Sequence, residues 1–219
     1  AYSRFVPREF LHLLGIDDIR KVELGHQVER KMTILFCDIR NFTALSETMS
    51  PQENFNFLNS YLVQMEPVIA AHGGFIDKYI GDAIMAYWGP PFTEHGEQAS
   101  LACLAAIEMA DRGAALRTEL PELLGVRAVP SDCDVRIGIA TGEVLVGSIG
   151  SEFMMSYTVM GDAVNLASRL EGANKIYGSH SLASAPAIAA AGDAIEVREI
   201  DRLVVVGQTK PESVFEIMG

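Results

Sequence analysis

Two acidic residues, Asp38 and Asp82, carry the first signs of chemistry in this sequence. Asp38 ends an apolar run at residues 33–37, whose β-branched and aromatic content is typical of a buried strand. Asp82 follows 44 positions later, at the tip of a predicted hairpin. If the first strand lies beside that hairpin, the two carboxylates could bridge two Mg²⁺ ions about 3.5–4 Å apart. The alternative for Asp38 is to cap the next helix, the commoner role of a lone Asp after a strand.

The segments around these acids predict an α+β fold. Helical patterns cover residues 46–72, broken near Ser50 into two helices, and residues 94–120. A further helix carries Asn165 and Arg169, which share one face because they are four residues apart. Strand patterns cover residues 33–37, 75–79, 83–88, 134–149, 157–160 and 195–218. The pattern over 134–149 predicts a pair of strands with a turn at residues 141–143. This order predicts a ferredoxin-like βαββαβ-type antiparallel sheet with helices on one face.

Composition narrows the classes of function. The chain has 219 residues, of which 49% are hydrophobic and 21% charged, ordinary values for one globular domain. Its net charge of −12 argues against nucleic-acid polymers as partners, but it allows a nucleotide whose charge is neutralised by divalent metal. The scattered cysteines, Cys37, Cys103 and Cys133, predict reduced thiols in a cytoplasmic protein. The five scattered histidines argue against zinc.

The N-terminal residues predict an arm that precedes the main domain. Residues 5–14 carry apolar groups at helical spacing, and residues 17–31 form a polar connection. We therefore expect an arm or linker from an upstream sensor or regulatory module at residues 1–30, and the main domain at residues 31–219. The start at Ala1 resembles neither a signal peptide nor an initiator, and no stretch approaches a membrane span. The sequence predicts a cytoplasmic piece of a longer protein, which could be tethered to a membrane through another region.

Four motifs resemble the catalytic domain of the class III nucleotidyl cyclases. They are residues 36–43 (Phe-Cys-Asp-Ile-Arg-Asn-Phe-Thr), 77–86 (Asp-Lys-Tyr-Ile-Gly-Asp-Ala-Ile-Met-Ala), 136–142 (Arg-Ile-Gly-Ile-Ala-Thr-Gly) and 161–169 (Gly-Asp-Ala-Val-Asn-Leu-Ala-Ser-Arg). Their order and spacing agree with that family from Lys31 to the end of the chain. The resemblance implies a ferredoxin-like core and a head-to-tail homodimer with active sites at the interface. It also implies conversion of a nucleoside triphosphate to its 3′,5′-cyclic monophosphate and pyrophosphate.

The same resemblance implies a role for each motif residue. Asp38 and Asp82 resemble the carboxylates that hold two Mg²⁺ or Mn²⁺ ions per active site, with the Ile39 carbonyl as a third ligand. Asn165 is similar to the residue that orients the ribose, and Arg169 to the one that stabilises charge on the phosphate during ring closure. The residues that resemble phosphate contacts are the turn amides of Asn41, Phe42 and Thr43 and the side chain of Arg136.

Simpler roles stand beside these. Asn165 and Arg169 could form an ordinary solvated helix face, and Arg136 could be a surface residue of a strand pair.

The choice of purine is predicted by Lys78 and Thr158, which resemble the two positions that line the base pocket in this family. An ammonium only donates and a hydroxyl can accept, which suits the N1 acceptor and the N6 donor of adenine. Guanylyl cyclases of this family have Glu and Cys at the two corresponding positions instead. The pair therefore predicts ATP as the substrate. It is similar to the bacterial and soluble-cyclase branch of adenylyl cyclases, in which stimulation by bicarbonate is encountered.

One departure from the family pattern lies near the C-terminus. The Lys-Gly-Lys stretch that contacts the triphosphate is replaced here by Val-Gly-Gln at residues 206–208. Either Lys210 substitutes for the missing lysine, or the phosphates rely more on Arg136 and metal.

Three alternatives to an adenylyl cyclase follow from the sequence. A guanylyl cyclase is the nearest of them. In a nucleotide-binding regulatory or dimerisation module, we would expect damaged catalytic positions. In this sequence the catalytic positions are intact. A dinucleotide cyclase would carry the motif Gly-Gly-Asp/Glu-Glu-Phe in its hairpin. The hairpin here has the sequence Ile-Gly-Asp-Ala at residues 80–83.

Overall fold

The structure, a computed structural model, describes residues 15, 25–124, 134–151, 154–203 and 211–219, without the side chains of 119–124 and 154–155. The helix predicted over residues 5–14 lies outside these ranges, and the predicted arm at residues 1–30 stays a prediction. Within the described ranges, no helix combines the length and the apolarity that a bilayer span requires.

Eight strands and five α-helices follow one another along the described part of the chain. The strands are β1 (Gln27–Ile39), β2 (Phe75–Ile80), β3 (Ala83–Trp88), β4 (Val135–Ser151), β5 (Met154–Met160), β6 (Ser181–Ser184), β7 (Val197–Leu203) and β8 (Glu212–Ile217). The helices are α1 (Phe42–Ser46), α2 (Pro51–Ala71), α3 (Gln98–Leu124), α4 (Asp162–Tyr177) and α5 (Ala185–Ala191). A short 3₁₀ helix, Gly192–Ala194, follows α5.

The strands form one sheet, in the order β2-β3-β1-β4-β6-β8-β7, with β5 also paired to β4. Strand β1 lies between β3 and β4 and pairs antiparallel with both. The predicted α+β class with a ferredoxin-like, mainly antiparallel sheet is confirmed. The exception is β4 and β6, which pair in parallel. The first strand therefore lies beside the β2–β3 hairpin, the arrangement that the two acids require.

Strand β4 corrects the prediction of a strand pair over residues 134–149. The segment is one strand, and Thr141, Gly142 and Glu143 continue the ladder with β1. The buried hydroxyls of Thr33 and Thr141 hydrogen-bond across this pair at 2.8 Å. A Thr-Gly-Glu tripeptide suits a turn when judged by local chemistry. Here the long partner strand supplies the backbone hydrogen bonds, and pairing outweighs the local preference.

The helices pack on both faces of the sheet, so the prediction of helices on one face is wrong. On one face, Leu35 and Cys37 of β1 pack in a core shared with α2, α3 and α5. On the other face, Ile34 and Phe36 pack in a core shared with α4. Successive strand residues point to opposite faces. The uninterrupted apolar run of β1 is therefore explained by burial on both sides, which a strand flanked by helices requires.

The predicted break before the second helix is confirmed at Ser50. The Ser50 hydroxyl accepts a hydrogen bond from Glu53 N–H (3.3 Å), and the Glu53 carboxylate accepts one from Ser50 N–H (2.7 Å). These reciprocal bonds form a capping box at the start of α2, with Pro51 as its first residue. The helix continues through Pro67 to Ala71.

Candidate active site

The two predicted metal carboxylates lie together at one end of the sheet. Asp38 is the penultimate residue of β1, and Asp82 occupies the turn between β2 and β3. Because Cys37 pairs with Ile84, the end of β1 lies beside that turn. The Asp82 carboxylate accepts a hydrogen bond from the backbone N–H of Ile39 over 3.3 Å. The register of β1 on β3 thus brings the two acids to one place.

The electrostatics of this acid pair suit a site for cations. Burial raises the pKa of Asp82 to about 7, and Asp38 adds to the shift through a hydrogen bond and through charge repulsion. Asp38 is the cross-strand partner of Arg136, whose Nη2 donates a hydrogen bond to Asp38 Oδ2 over 2.7 Å. Further positive charge beside the pair would favour the ionised form of Asp82.

The donor set fits Mg²⁺ or Mn²⁺. The carboxylates of Asp38 and Asp82 and the carbonyl of Ile39 are hard oxygen donors of the kind that these ions prefer. Within the described residues, no group of three or more His, Cys, Asp or Glu side chains could hold a metal ion. Mg²⁺ commonly binds through one or two carboxylates and completes its shell with water and substrate phosphates. The acid pair therefore suits metal that arrives with a phosphorylated substrate.

We expect Asp82→Asn to stabilise the metal-free protein at pH 8. The folded-state pKa of Asp82, about 7, lies above the ordinary carboxyl value of 3.8. Ionisation therefore costs folding free energy as the pH rises through this window, and the cost vanishes below it. The melting temperature at pH 8 should rise, by about 2–4 °C for each kcal/mol of this cost in a chain of this size. The gain should shrink towards pH 4.

The control for this stability measurement is Asp193→Asn, which neutralises an exposed acid in the 3₁₀ helix. Thermal unfolding of both variants in chelator, between pH 4 and pH 8, gives the comparison. A lower melting temperature for Asp82→Asn at pH 8 would contradict the assigned cost of ionisation.

A cavity of about 380 Å³ opens beside the acid pair. The residues that line it are Asp38, Ile39, Asn41, Phe42, Thr43, Ala44, Glu47, Asp82, Arg136 and Lys175. Among the described residues, Asn41 is the one non-glycine residue with a left-handed backbone, at φ 57°. This conformation turns the chain from β1 into α1, whose first-turn amides have no acceptor within the helix. The four predicted phosphate contacts therefore line the same cavity as the acids.

Glu171 is a residue of this site that sequence reasoning missed. Its Oε1 lies 3.0 Å from Arg136 Nε, an ion pair without the alignment of a hydrogen bond. Burial raises the pKa of Glu171 to about 7, although the nearby Arg136 lowers it. The guanidinium of Arg136 is thus held between two carboxylates, Asp38 and Glu171. Arg136 is mostly buried in the described chain, which excludes the alternative of an ordinary exposed strand residue.

A glycine explains how Glu171 reaches Arg136. A Cβ at Gly138 would overlap the carbonyl oxygen of Ala167 and the backbone nitrogen of Glu171. Without a side chain there, α4 lies directly against β4, two residues from Arg136. The sequence held one usable signal, because Glu171 adjoins the buried positions of α4, among them Leu170. A carboxylate beside an apolar stripe needs a partner.

Lys175 is a second residue that sequence reasoning missed. It lies one helical turn after Glu171 on α4 and lines the same cavity. It brings a cation to the wall of the cavity where the phosphate contacts were predicted. Lys210, the residue suggested by the sequence for a phosphate contact, lies outside the described residues.

The predicted catalytic residues Asn165 and Arg169 point to a different side of α4. Both are exposed, and neither lines the cavity beside the acids. At about 100° per residue, their shared face is rotated by about 120° from the face of Glu171 and Lys175. Since the latter face turns to the acids, one chain does not bring Asn165 and Arg169 to them.

The predicted base-selecting residues, Lys78 and Thr158, meet at a third residue. Asp77 Oδ2 accepts a hydrogen bond from Thr158 Oγ1 at 2.9 Å and lies 3.2 Å from Lys78 Nζ. Burial raises the pKa of Asp77, while the Thr158 hydrogen bond and the Lys78 charge lower it. Sequence reasoning missed Asp77, and its position next to Lys78 was the available signal. This cluster, too, is separate from the cavity that holds the acids.

An apolar surface adjoins Thr158 on strands β4 and β5. It consists of Leu145, Ile149 and Met160, which are 43%, 47% and 52% exposed and border a depression that Thr158 also lines. Strand pairing places Leu145 opposite Met160, so the two side chains are neighbours on the sheet. We call these three residues the β4–β5 patch. A group of large apolar side chains left in water is typical of an interaction surface.

The fold and the site together define a domain in which an acid pair, an arginine-lined cavity and a separate polar cluster lie on one mixed sheet. The sequence model of the family described as Adenylate and Guanylate cyclase catalytic domain matches residues 24–215. The chain therefore belongs to this family.

Relatives and solved structures agree with this assignment. An adenylate cyclase of Anabaena cylindrica is 38% identical over 99% of this chain and 42% of its own length. The solved adenylyl cyclase CyaB from P. aeruginosa is similar with a TM-score of 0.79 and 31% identity, over 88% of this chain and 96% of that one. The solved guanylyl cyclase Cya2 is similar with a TM-score of 0.77 and 34% identity, over 88% and 93%. The chain spans 42%, 10% and 32% of three curated relatives.

Proposed function

We propose that this chain is the catalytic domain of an adenylyl cyclase, which converts ATP to 3′,5′-cyclic AMP and pyrophosphate. The observation that carries the proposal is the position of Asp38 and Asp82 at one end of the sheet, beside a cavity lined by Arg136. In the reaction, the ribose 3′-hydroxyl loses its proton to water and its oxygen bonds to the α-phosphorus. The bond from that phosphorus to the oxygen that bridges to the β-phosphate breaks, and pyrophosphate leaves. Such a reaction needs the acids to hold cations and the cavity to hold phosphates.

Each part of the cavity has a role in this proposal. Asp38, Asp82 and the Ile39 carbonyl would hold two Mg²⁺ or Mn²⁺ ions, which activate the 3′-hydroxyl and neutralise the phosphates when bound. The backbone N–H groups of Asn41, Phe42 and Thr43 donate hydrogen bonds to phosphate oxygens at the turn into α1. Arg136 exchanges part of its contact with Asp38 for a phosphate oxygen, while Glu171 keeps the guanidinium in place.

The site is completed by a second copy of the chain. Asn165 and Arg169 face about 120° away from the face of α4 that lines the acid cavity. Lys78 and Thr158 also lie apart from that cavity, and Thr158 adjoins the β4–β5 patch. In the homodimer that the family resemblance implies, Asn165, Arg169, Lys78 and Thr158 of one protomer lie opposite the acids of the other. The β4–β5 patch is an apolar surface that such an interface could cover. This arrangement is head-to-tail about a two-fold axis, and it forms two active sites.

The choice of ATP over GTP rests on Lys78 and Thr158. Lys78 donates to N1 of adenine, and the Thr158 hydroxyl accepts from the N6 amine. A guanylyl cyclase is the second candidate, because the likeness to the solved guanylyl cyclase Cya2, at 34% identity, is comparable to the likeness to the solved adenylyl cyclase CyaB, at 31%. Guanine presents a donor at N1 and an acceptor at O6, which reverses both interactions. The pair of Lys78 and Thr158 therefore favours ATP.

The base assignment predicts the effect of Lys78→Glu. A carboxylate facing N1 of adenine places an acceptor against an acceptor, and sites that depend on hydrogen bonds discriminate strongly against such a mismatch. We expect kcat/KM for ATP to fall at least about a hundredfold, the effect of about 2.7 kcal/mol. Steady-state rates with ATP and GTP, in Mg²⁺ and in Mn²⁺ and with identified products, provide the measurement.

The matched control for that assay is Lys31→Glu, which changes the same type of residue at an exposed position of β1. Addition of Thr158→Cys to Lys78→Glu should shift the preference further towards GTP. Equal ATP turnover by Lys78→Glu and the parent would overturn the base assignment. A parent that turns over neither nucleotide would favour the remaining candidate, a binding or dimerisation module.

Stimulation by bicarbonate stays a prediction that depends on Lys78 and Thr158 together. An upstream sensor or regulatory module, and a cytoplasmic location of this domain, also stay predictions.

A further inference from the structure

We propose that Asp77 determines purine specificity by fixing the direction of the Thr158 hydroxyl proton. This inference rests on the proposed adenylyl cyclase function and concerns the same base-selecting residues, Lys78 and Thr158. Asp77 is a positioning residue in this scheme, because it acts on the base through Thr158.

The backbone directs Asp77 to these two partners. The pairing of β2 with β3 runs from Ile76 opposite Ala86 to Lys78 opposite Met85, so Asp77 is an extra residue in the ladder. Such a bulge changes the direction of a side chain relative to a regular strand. The Asp77 side chain is only 1% exposed, whereas that of Lys78 is 41% exposed. A buried carboxylate with one oxygen shared by an ammonium and a hydroxyl is held in a single position.

The hydrogen bond from Thr158 to Asp77 decides what Thr158 can offer to a ligand. A hydroxyl has one proton, and an ionised carboxylate can only accept. Thr158 therefore donates its proton to Asp77 Oδ2 over 2.9 Å, and only lone pairs of Oγ1 remain for the base. A residue type that can donate or accept becomes an acceptor alone.

The consequence is a pair of opposite hydrogen-bonding groups at the base pocket. Lys78, held 3.2 Å from the same carboxylate oxygen, is a donor, and Thr158 is an acceptor. Adenine matches both, through N1 and the N6 amine. Guanine would place its N1 proton against the ammonium and its O6 against the lone pairs of Thr158. Without Asp77, the hydroxyl could turn its proton to O6, and part of the discrimination against guanine would be lost.

The test compares kcat/KM for ATP with kcat/KM for GTP in the purified 219-residue chain and its variants. We expect Asp77→Ala to lower the ATP-to-GTP ratio by about tenfold or more, the effect of one hydrogen bond near 1.4 kcal/mol. Asp77→Asn should recover most of the ratio, because its amide oxygen still accepts from Thr158. Asp193→Ala removes an exposed acid elsewhere and should leave the ratio unchanged.

A double-mutant cycle with Thr158→Val separates the hydroxyl from other effects of Asp77. In the Val background there is no proton to direct, so Asp77→Ala should change the ratio little. An equal loss in both backgrounds would overturn the proposal, because Asp77 would then act through Lys78 alone. Equal losses of ATP and GTP turnover, with an unchanged ratio, would also overturn it, since they indicate a structural role.

The outcome for the parent protein distinguishes this inference from the proposed function. A parent that prefers GTP overturns the adenylyl cyclase assignment, and with it the match of Thr158 to adenine. A parent that prefers ATP, with an Asp77→Ala variant that keeps the same preference, overturns the role of Asp77 alone. Circular dichroism and thermal unfolding of Asp77→Ala and Asp77→Asn establish that both variants are folded.

Discussion

The Asp38→Ala protein is expected to fold and to lose about a thousandfold or more of its cyclase turnover. Asp38 supplies one of the two carboxylates of the acid pair, and it accepts a hydrogen bond from Arg136, which lines the same cavity. Loss of a carboxylate that holds divalent metal removes several kcal/mol of transition-state stabilisation, and about 4 kcal/mol corresponds to a thousandfold.

Folding should survive this change for an electrostatic reason. Arg136 keeps Glu171 as a partner at 3.0 Å, so its buried charge is still compensated when Asp38 is absent. The Asp38→Ala protein should therefore retain the circular dichroism spectrum and the oligomeric state of the parent. Turnover of ATP in Mg²⁺ and in Mn²⁺, together with Mn²⁺ binding followed by electron paramagnetic resonance, gives the measurement.

Asp193→Ala is the control for Asp38→Ala, since it removes an exposed carboxylate far along the chain. The Asp38→Asn variant, which keeps the shape of the side chain but not its charge, should be as inactive as Asp38→Ala. Near-normal activity or unaltered Mn²⁺ binding in either Asp38 variant would refute the assignment of the metal site.

Mixing two inactive variants, Asp38→Ala and Arg169→Ala, is expected to restore activity. In each homodimer of a single variant, both sites lack one part. In a mixed dimer, one site takes its acids from the Arg169→Ala chain and its arginine from the Asp38→Ala chain, so this site is intact. If chains pair at random, half of the dimers are mixed and each has one intact site of two. Recovery should approach about a quarter of the parent activity per dimer.

The physical reason for this expectation is the geometry of α4. The face with Glu171 and Lys175 turns to the acid cavity, so Arg169, about 120° to 160° away around the helix, turns elsewhere. A matched negative control is the mixture of Asp38→Ala with Asp82→Ala. Both defects then fall in the part of the site that one chain supplies, so every site is damaged and no activity should return. No recovery with Arg169→Ala, although chain exchange is confirmed by tagged subunits, would mean that each chain builds its own site.

Several features of this protein could be predicted from local sequence patterns. The Gly81-Asp82 turn between alternating apolar runs predicted the β2–β3 hairpin, and the structure has it. The helical pattern predicted a break near Ser50, and α2 begins there, where Ser50 and Glu53 form a capping box. Such features depend on residues within four or five positions, so the sequence around them contains the whole of their physical cause.

The partners of buried charges could not be predicted in the same way. Glu171 and Arg136 are 35 positions apart, and Asp77 and Thr158 are 81 apart. Each pair is set by which strands and helices adjoin, by the bulge at Asp77 and by the close approach of α4 to Gly138. The prediction of a strand pair at residues 134–149 was wrong because of such a distant contact. The pairing of β4 with β1 outweighed the local turn preference of residues 141–143.

The sequence by itself determined the types of the candidate site residues and the elements that carry them. These are two carboxylates after strand segments, an ammonium and a hydroxyl proposed for the base pocket, and Asn165 with Arg169 on one helix face. The tertiary structure decided which of these groups meet. It joined Asp38 to Asp82 through the β1–β3 register, joined Lys78 to Thr158 through Asp77, and turned Arg169 away from the acids. The physical reason is that residue chemistry and helical periodicity are local, whereas contact between distant residues depends on strand register and on helices packed on both faces of the sheet.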